Sequence, residues 1–207
     1  MDLTIIEAVL FDMDGTLVDS DAAVERAWRV WAAEYAVDPA AVLAVAHGAP
    51  AERTVRLVRP DLTGTGVAEA AARQLTLQYD DLSDVVATPG APELLAALRV
   101  PWAIVTSADV RLAKARLGAA GIAAPLLVTV EDVRVGKPDP EGYRRAAELL
   151  GVAPEHCLVV EDAEVGVTAG RAAGAQVAGL KGVDADLPIT DLRALTQLLA
   201  AAGKAHA

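Results

Sequence analysis

Short apolar runs at 7–12, 101–106, 126–130, 157–162 and 175–180, several rich in Val and Ile, are closed by Asp, Thr, Ser or Gly and predict strands. Helical patterns lie between them. Residues 138–151 begin after Pro138 and stop at Gly151, with Tyr143, Ala146, Ala147 and Leu150 on one face. Ala-rich segments at 109–120 and 164–174 run to Gly121 and Gly174, where a glycine commonly follows a helix. Strand alternating with helix from about residue 90 onward predicts βαβ units, hence an α/β fold with a parallel sheet and helices on both faces.

Residues 20–86 break that alternation. Val24, Trp28, Trp31 and Tyr35 recur at helical spacing, as do Val55, Val58 and Leu62, and 67–82 reads as another helix. No strand stands out there. The flanking GTLVDS and ATPGAP are rich in turn formers. The expected organisation is a core of residues 1–17 and 88–207 with a helical cap of residues 18–87 inserted after the first strand. Trp28 and Trp31 are expected in the cap's interior.

Composition narrows the function. The 207 residues are 54% hydrophobic, much of it alanine, with 3% aromatics. A net charge of −11 argues against a nucleic-acid backbone as partner. No apolar stretch of about 18 residues is present, so no membrane span is expected. MDLTIIE lacks a basic secretory n-region, and a cytoplasmic location is the default. The single cysteine, Cys157, sits in an apolar run and reads as a core thiol.

In open parallel sheets ligands bind beyond the carboxyl ends of the strands. Asp12 ends the first strand and Asp14 follows two residues on, so an extended chain would point both side chains one way. Gly15 then permits a turn. Taken alone, the pair is either an acidic turn or a cation site. Thr106-Ser107, Glu161-Asp162 and Gly136-Lys137-Pro138 lie at other strand ends or adjoining loops. Four carboxylates, two hydroxyls and a lysine suit Mg²⁺ and a phosphate, whereas zinc's His/Cys spacing is absent. With 14 arginines and 4 lysines, a lysine between Gly136 and Pro138 points to a need for a compact charge.

These four segments, in the chain order Asp12-Met13-Asp14-Gly15-Thr16, Thr106-Ser107, Gly136-Lys137-Pro138 and Glu161-Asp162, resemble those of the haloacid dehalogenase (HAD) superfamily, and further its β-phosphoglucomutase-like and sugar-phosphatase branch. The resemblance covers roughly residues 6 to 180 and implies a Rossmann-like core with a helical cap closing over the site. It implies Asp12 as nucleophile, forming an aspartyl-phosphate, and Asp14 as acid then base. Thr106 and backbone near Ser107 would bind phosphoryl oxygens, and Lys137 would neutralise charge on the transferring group. Asp12, the Asp14 carbonyl, Asp162 and Glu161 (directly or through water) would hold Mg²⁺. Dehalogenases of the superfamily lack the second aspartate, so Asp14 favours phosphoryl transfer.

The chain departs from relatives at Ala163, where many carry serine. His47-Gly48 resembles a substrate-reaching loop, although His47 also reads as an ordinary surface residue. Phosphomutase relatives place a base soon after that glycine to hold a second phosphate. Here the first is Arg53, which favours a monophosphate substrate. Asp19 and Ser20 read as caps of the first cap helix, and Thr106 and Ser107 also fit a helix cap. The expectation is a monomeric phosphatase of a small phosphomonoester, a sugar or polyol phosphate, with no nucleic-acid or membrane partner. The rivals are a sugar phosphomutase and a non-catalytic phosphometabolite-binding module.

Overall fold

Strand β1 (Ala8–Phe11) is buried at every position because other strands flank it on both edges and helices cover the sheet's faces. The computed structural model describes residues 1–46 and 49–206. After β1 the chain forms β2 (Val18–Asp19), α1 (Asp21–Glu34), α2 (Pro39–Ala46), α3 (Ala51–Val58) and α4 (Thr65–Leu77). Then come β3 (Val86–Ala87), α5 (Ala91–Ala97), β4 (Trp102–Val105), α6 (Val110–Ala119) and β5 (Leu127–Val128). The chain ends with α7 (Glu141–Leu150), β6 (Cys157–Glu161), α8 (Glu164–Ala173), β7 (Gln176–Gly179), β8 (Leu187–Pro188) and α9 (Leu192–Ala201).

Six parallel strands run in the order β5-β4-β1-β6-β7-β8. This is the expected α/β architecture, and each predicted strand is present but shorter by one to three residues. The core joins Leu10, Val105, Val159 and Val177 of the strands to Tyr143 and Ala146 of α7 and Val167 of α8. Cys157 is buried there, and burial pushes its thiol up to about 11.

The chain divides into two compact units, Met1–Asp19 with Val86–Ala207, and Ser20–Val85. Val18 and Asp19 belong to the first unit because they pair antiparallel with Ala87 and Val86. The sequence pattern does not predict this ribbon, since a two-residue strand is too short for alternation to register.

The second unit is all helix, α1 to α4, around Trp28, Trp31, Val42, Val55, Val67 and Ala70. Trp31 is fully buried, donates to the Ala70 carbonyl at 2.8 Å and stacks on Tyr35 at 4.4 Å. Both tryptophans therefore fill the interior. Ser20 occupies the N-cap position of α1 without a side-chain capping bond, and Asp19 lies in β2. Among the described residues no helix is long and apolar enough to cross a membrane.

Candidate active site

The sheet order creates the site. From β1 the core continues to β4 and β5 on one side, then returns to β6, β7 and β8 on the other. The carboxyl ends of β4, β1 and β6 are adjacent at that reversal, where no crossover helix fills the crevice. Asp12, Thr106 and Glu161-Asp162 all stand there.

Lys137 ties the ends together. Its Nζ lies 2.5 Å from Asp12 Oδ1, 2.7 Å from Glu161 Oε1 and 3.0 Å from the Val105 carbonyl. An ammonium has three protons, and these are three acceptors. The stem is buried, and Nζ lies over the Tyr143 ring, 5.0 Å from its centre. Glu161 is 1% exposed and accepts from four groups: Lys137 and the Tyr143 hydroxyl at Oε1, the Asp162 and Ala163 amides at Oε2. Gly166, in the first turn of α8, makes room for it; a Cβ there would lie 1.7 Å from Oε1. Glu161 therefore orients Lys137 as well as adding charge.

Burial raises the Asp12 carboxyl well above the usual range, with Glu161 and Asp162 adding to the rise and Lys137 opposing it. Burial likewise raises Asp162, against Lys181, whose Nζ is 3.1 Å away. Burial works to lower Lys137, but Asp12 and Glu161 prevail and hold it well above the usual lysine range. Burial and the Glu161 charge raise Tyr143. One oxygen from each of Asp12, Glu161 and Asp162 lies within 4.8 Å of the others. Three carboxylates facing two lysines leave negative charge in excess, and an all-oxygen donor set suits a hard divalent cation. Because Glu161 is saturated by four donors, Asp12 and Asp162 are the side chains best able to face that ion.

Gly15 has φ +85°, and a Cβ on it would lie 2.0 Å from Asp162 Oδ2, so only glycine lets the loop after β1 approach Asp162 this closely. Asp14 has a different partner. Its Oδ2 is 2.8 Å from Nη1 of Arg116 on α6, and its carboxylate lies outside the acidic cluster.

The Thr106 hydroxyl accepts from the Ala108 amide at 3.1 Å, whereas Asp109 caps α6 by accepting from Leu112 at 2.7 Å. The capping role expected of Thr106 and Ser107 thus falls to Asp109, and Thr106, Ser107 and Lys137 line the same pocket. Ser107 is exposed. His47 lies outside the described residues. Arg53 is exposed on α3 in the helical unit. The structure brings Asp12, Lys137, Glu161 and Asp162 together, with Thr106 at the next strand end.

Sequence reading missed Arg116, Lys181, Gly166 and the Tyr143 hydroxyl. Arg116 was detectable, since it shares a helical face with the buried Leu112 and Ala113, where a charge is out of place. Lys181 follows β7 on a loop whose proximity to Asp162 only the fold decides.

The sequence profile of the haloacid dehalogenase-like hydrolases matches residues 6–174. Hexitol phosphatase A of Escherichia coli is 45% identical over 186 residues, 86% of this chain and 84% of that protein. 2-Deoxyglucose-6-phosphate phosphatase 1 of Saccharomyces cerevisiae is 36% identical, over 83% of this chain and 78% of its own. A HAD family hydrolase of Deinococcus radiodurans, solved with bound phosphate and sodium, superposes with a TM-score of 0.72. It is 29% identical and covers 98% of this chain and 99% of its own.

Proposed function

The chain belongs to the haloacid dehalogenase-like hydrolase family, and on that premise we propose that it is a Mg²⁺-dependent phosphatase of a small sugar or polyol phosphomonoester. The observation that carries the reading is the buried ammonium of Lys137 on Asp12 at the end of β1. It places a fixed positive charge beside a carboxylate nucleophile, where charge on a transferring phosphoryl group must be offset. The similarity to hexitol phosphatase A supports the substrate class.

In the proposed cycle Asp12 attacks phosphorus as the ester P–O bond breaks, and Asp14 gives its proton to the departing oxygen. The alcohol leaves, and Asp14 remains as carboxylate. Asp14 then takes a proton from water, whose oxygen attacks the same phosphorus. The bond to Asp12 breaks, phosphate is released, and both side chains return to their starting forms. Thr106 and the backbone beside Ser107 hold phosphoryl oxygens. Asp12, Asp162 and the Asp14 carbonyl would hold Mg²⁺, which when bound supplies positive charge to the phosphoryl oxygens.

Incubation with hexitol phosphates, 2-deoxyglucose 6-phosphate and glycerol phosphate is expected to release inorganic phosphate with Mg²⁺ present. Release should stop with chelator and in Asp12→Asn. A folded protein that releases none overturns the reading, and isomerisation of a sugar 1-phosphate without release would replace hydrolysis by mutase chemistry.

A further inference from the structure

We propose that Arg116 is a positioning residue for Asp14, holding its carboxylate in the orientation from which it protonates the leaving oxygen; this rests on the phosphatase reading above. Arg116 is the one buried arginine among the described residues, 2% exposed on α6. Desolvating a guanidinium costs several kcal/mol and requires a fixed partner. The partner here is Asp14, whose side chain is 28% exposed on the loop after β1, with Nη1 to Oδ2 at 2.8 Å.

The loop's backbone is already constrained. Leu17 and Val18 amides both donate to the Met13 carbonyl at 2.9 Å, and the Gly15 amide donates to Val18 at 2.7 Å. The buried, helix-borne guanidinium donates to Asp14 Oδ2 and so restricts the Asp14 side chain, with the transferable proton carried on the other carboxyl oxygen. Proton transfer is sensitive to that restriction, because the donor must meet the departing oxygen within hydrogen-bond reach. As the ester P–O bond breaks, its electron pair stays on that oxygen and Asp14 supplies the proton, so a misdirected Asp14 impairs only leaving groups that need one.

The test compares two esters in Arg116→Gln: the sugar or polyol phosphate best hydrolysed by the unaltered protein, and p-nitrophenyl phosphate, whose phenolate departs without a proton. The parameter kcat/KM is read because it includes leaving-group departure and excludes hydrolysis of the aspartyl-phosphate. Expected is a loss of about 30-fold or more for the alkyl ester and within about threefold for the aryl ester. Arg116→Lys, which keeps the charge on a different head group, should recover part of the alkyl-ester activity. It also stands in, judged by the same ratio, if Arg116→Gln does not fold. Equal losses on both esters, or no loss on either, overturn this inference alone. Failure of the unaltered protein to hydrolyse either ester overturns the phosphatase reading and this inference with it.

Discussion

Two glycines on helices of the core unit should respond in opposite directions to the same substitution. A Cβ on Gly166 would lie 1.7 Å from Glu161 Oε1 and 1.9 Å from Glu161 Cδ, whereas one on Gly118 meets nothing within 4 Å. Glu161 is a flexible residue in principle, but here it is buried and accepts from four donors. Moving it breaks the Lys137 and Tyr143 contacts at Oε1. Hydrogen bonds to a charged group contribute about 1.5–3 kcal/mol each, and replacing a helical glycine returns about 1 kcal/mol. Gly166→Ala is therefore expected to destabilise by about 2–5 kcal/mol, a fall of roughly 5–15 °C in Tm. Gly118→Ala should stabilise by about 0.5–1 kcal/mol. Urea denaturation and thermal melts of both variants, without added metal, give the numbers. Phosphatase activity should fall only in Gly166→Ala, because Lys137 loses its orienting partner. Equal stability changes of the two variants would refute the packing account of Glu161.

Lys137→Arg keeps the charge but cannot aim three donors from one nitrogen at Asp12, Glu161 and Val105; kcat should fall by about 10²–10³-fold, read in steady-state assays. Lys181→Ala removes a cation from Asp162, so isothermal titration should find Mg²⁺ bound up to about fivefold more tightly; unchanged or weaker affinity contradicts competition for that oxygen. Cys157 should resist alkylation in the native protein at pH 8 and react once urea unfolds it. Its folded thiol is raised to about 11, so the unfolded chain loses that proton first. The contribution is fully present below the unfolded thiol's ordinary value and is lost as pH rises towards about 11, at up to about 1.4 kcal/mol per pH unit. Denaturation of Cys157→Ala over the same pH range should lack that component.

Local pattern alone carried the strands, most of the helices, the strand-end residues Asp12, Thr106, Glu161 and Asp162 and the loop residue Lys137, because apolar periodicity and turn chemistry act over a few neighbours. The same locality hid what depends on distant residues. Val18 and Asp19 pair with Ala87 and Val86 across the whole helical unit, so the division between the units is set by tertiary pairing rather than by the end of an apolar run. Asp14 faces Arg116 and Asp162 faces Lys181, pairings that no local pattern announces. Glu161 read as acting on Mg²⁺ directly or through water; the sequence does not show that it also accepts from Tyr143 on α7, or that Gly166 on α8 leaves the space it occupies. Sequence determined which chemical groups stand at the strand ends. Only the folded sheet, by setting distances of a few ångströms between residues 18 to 125 positions apart, decided which charge each of them meets.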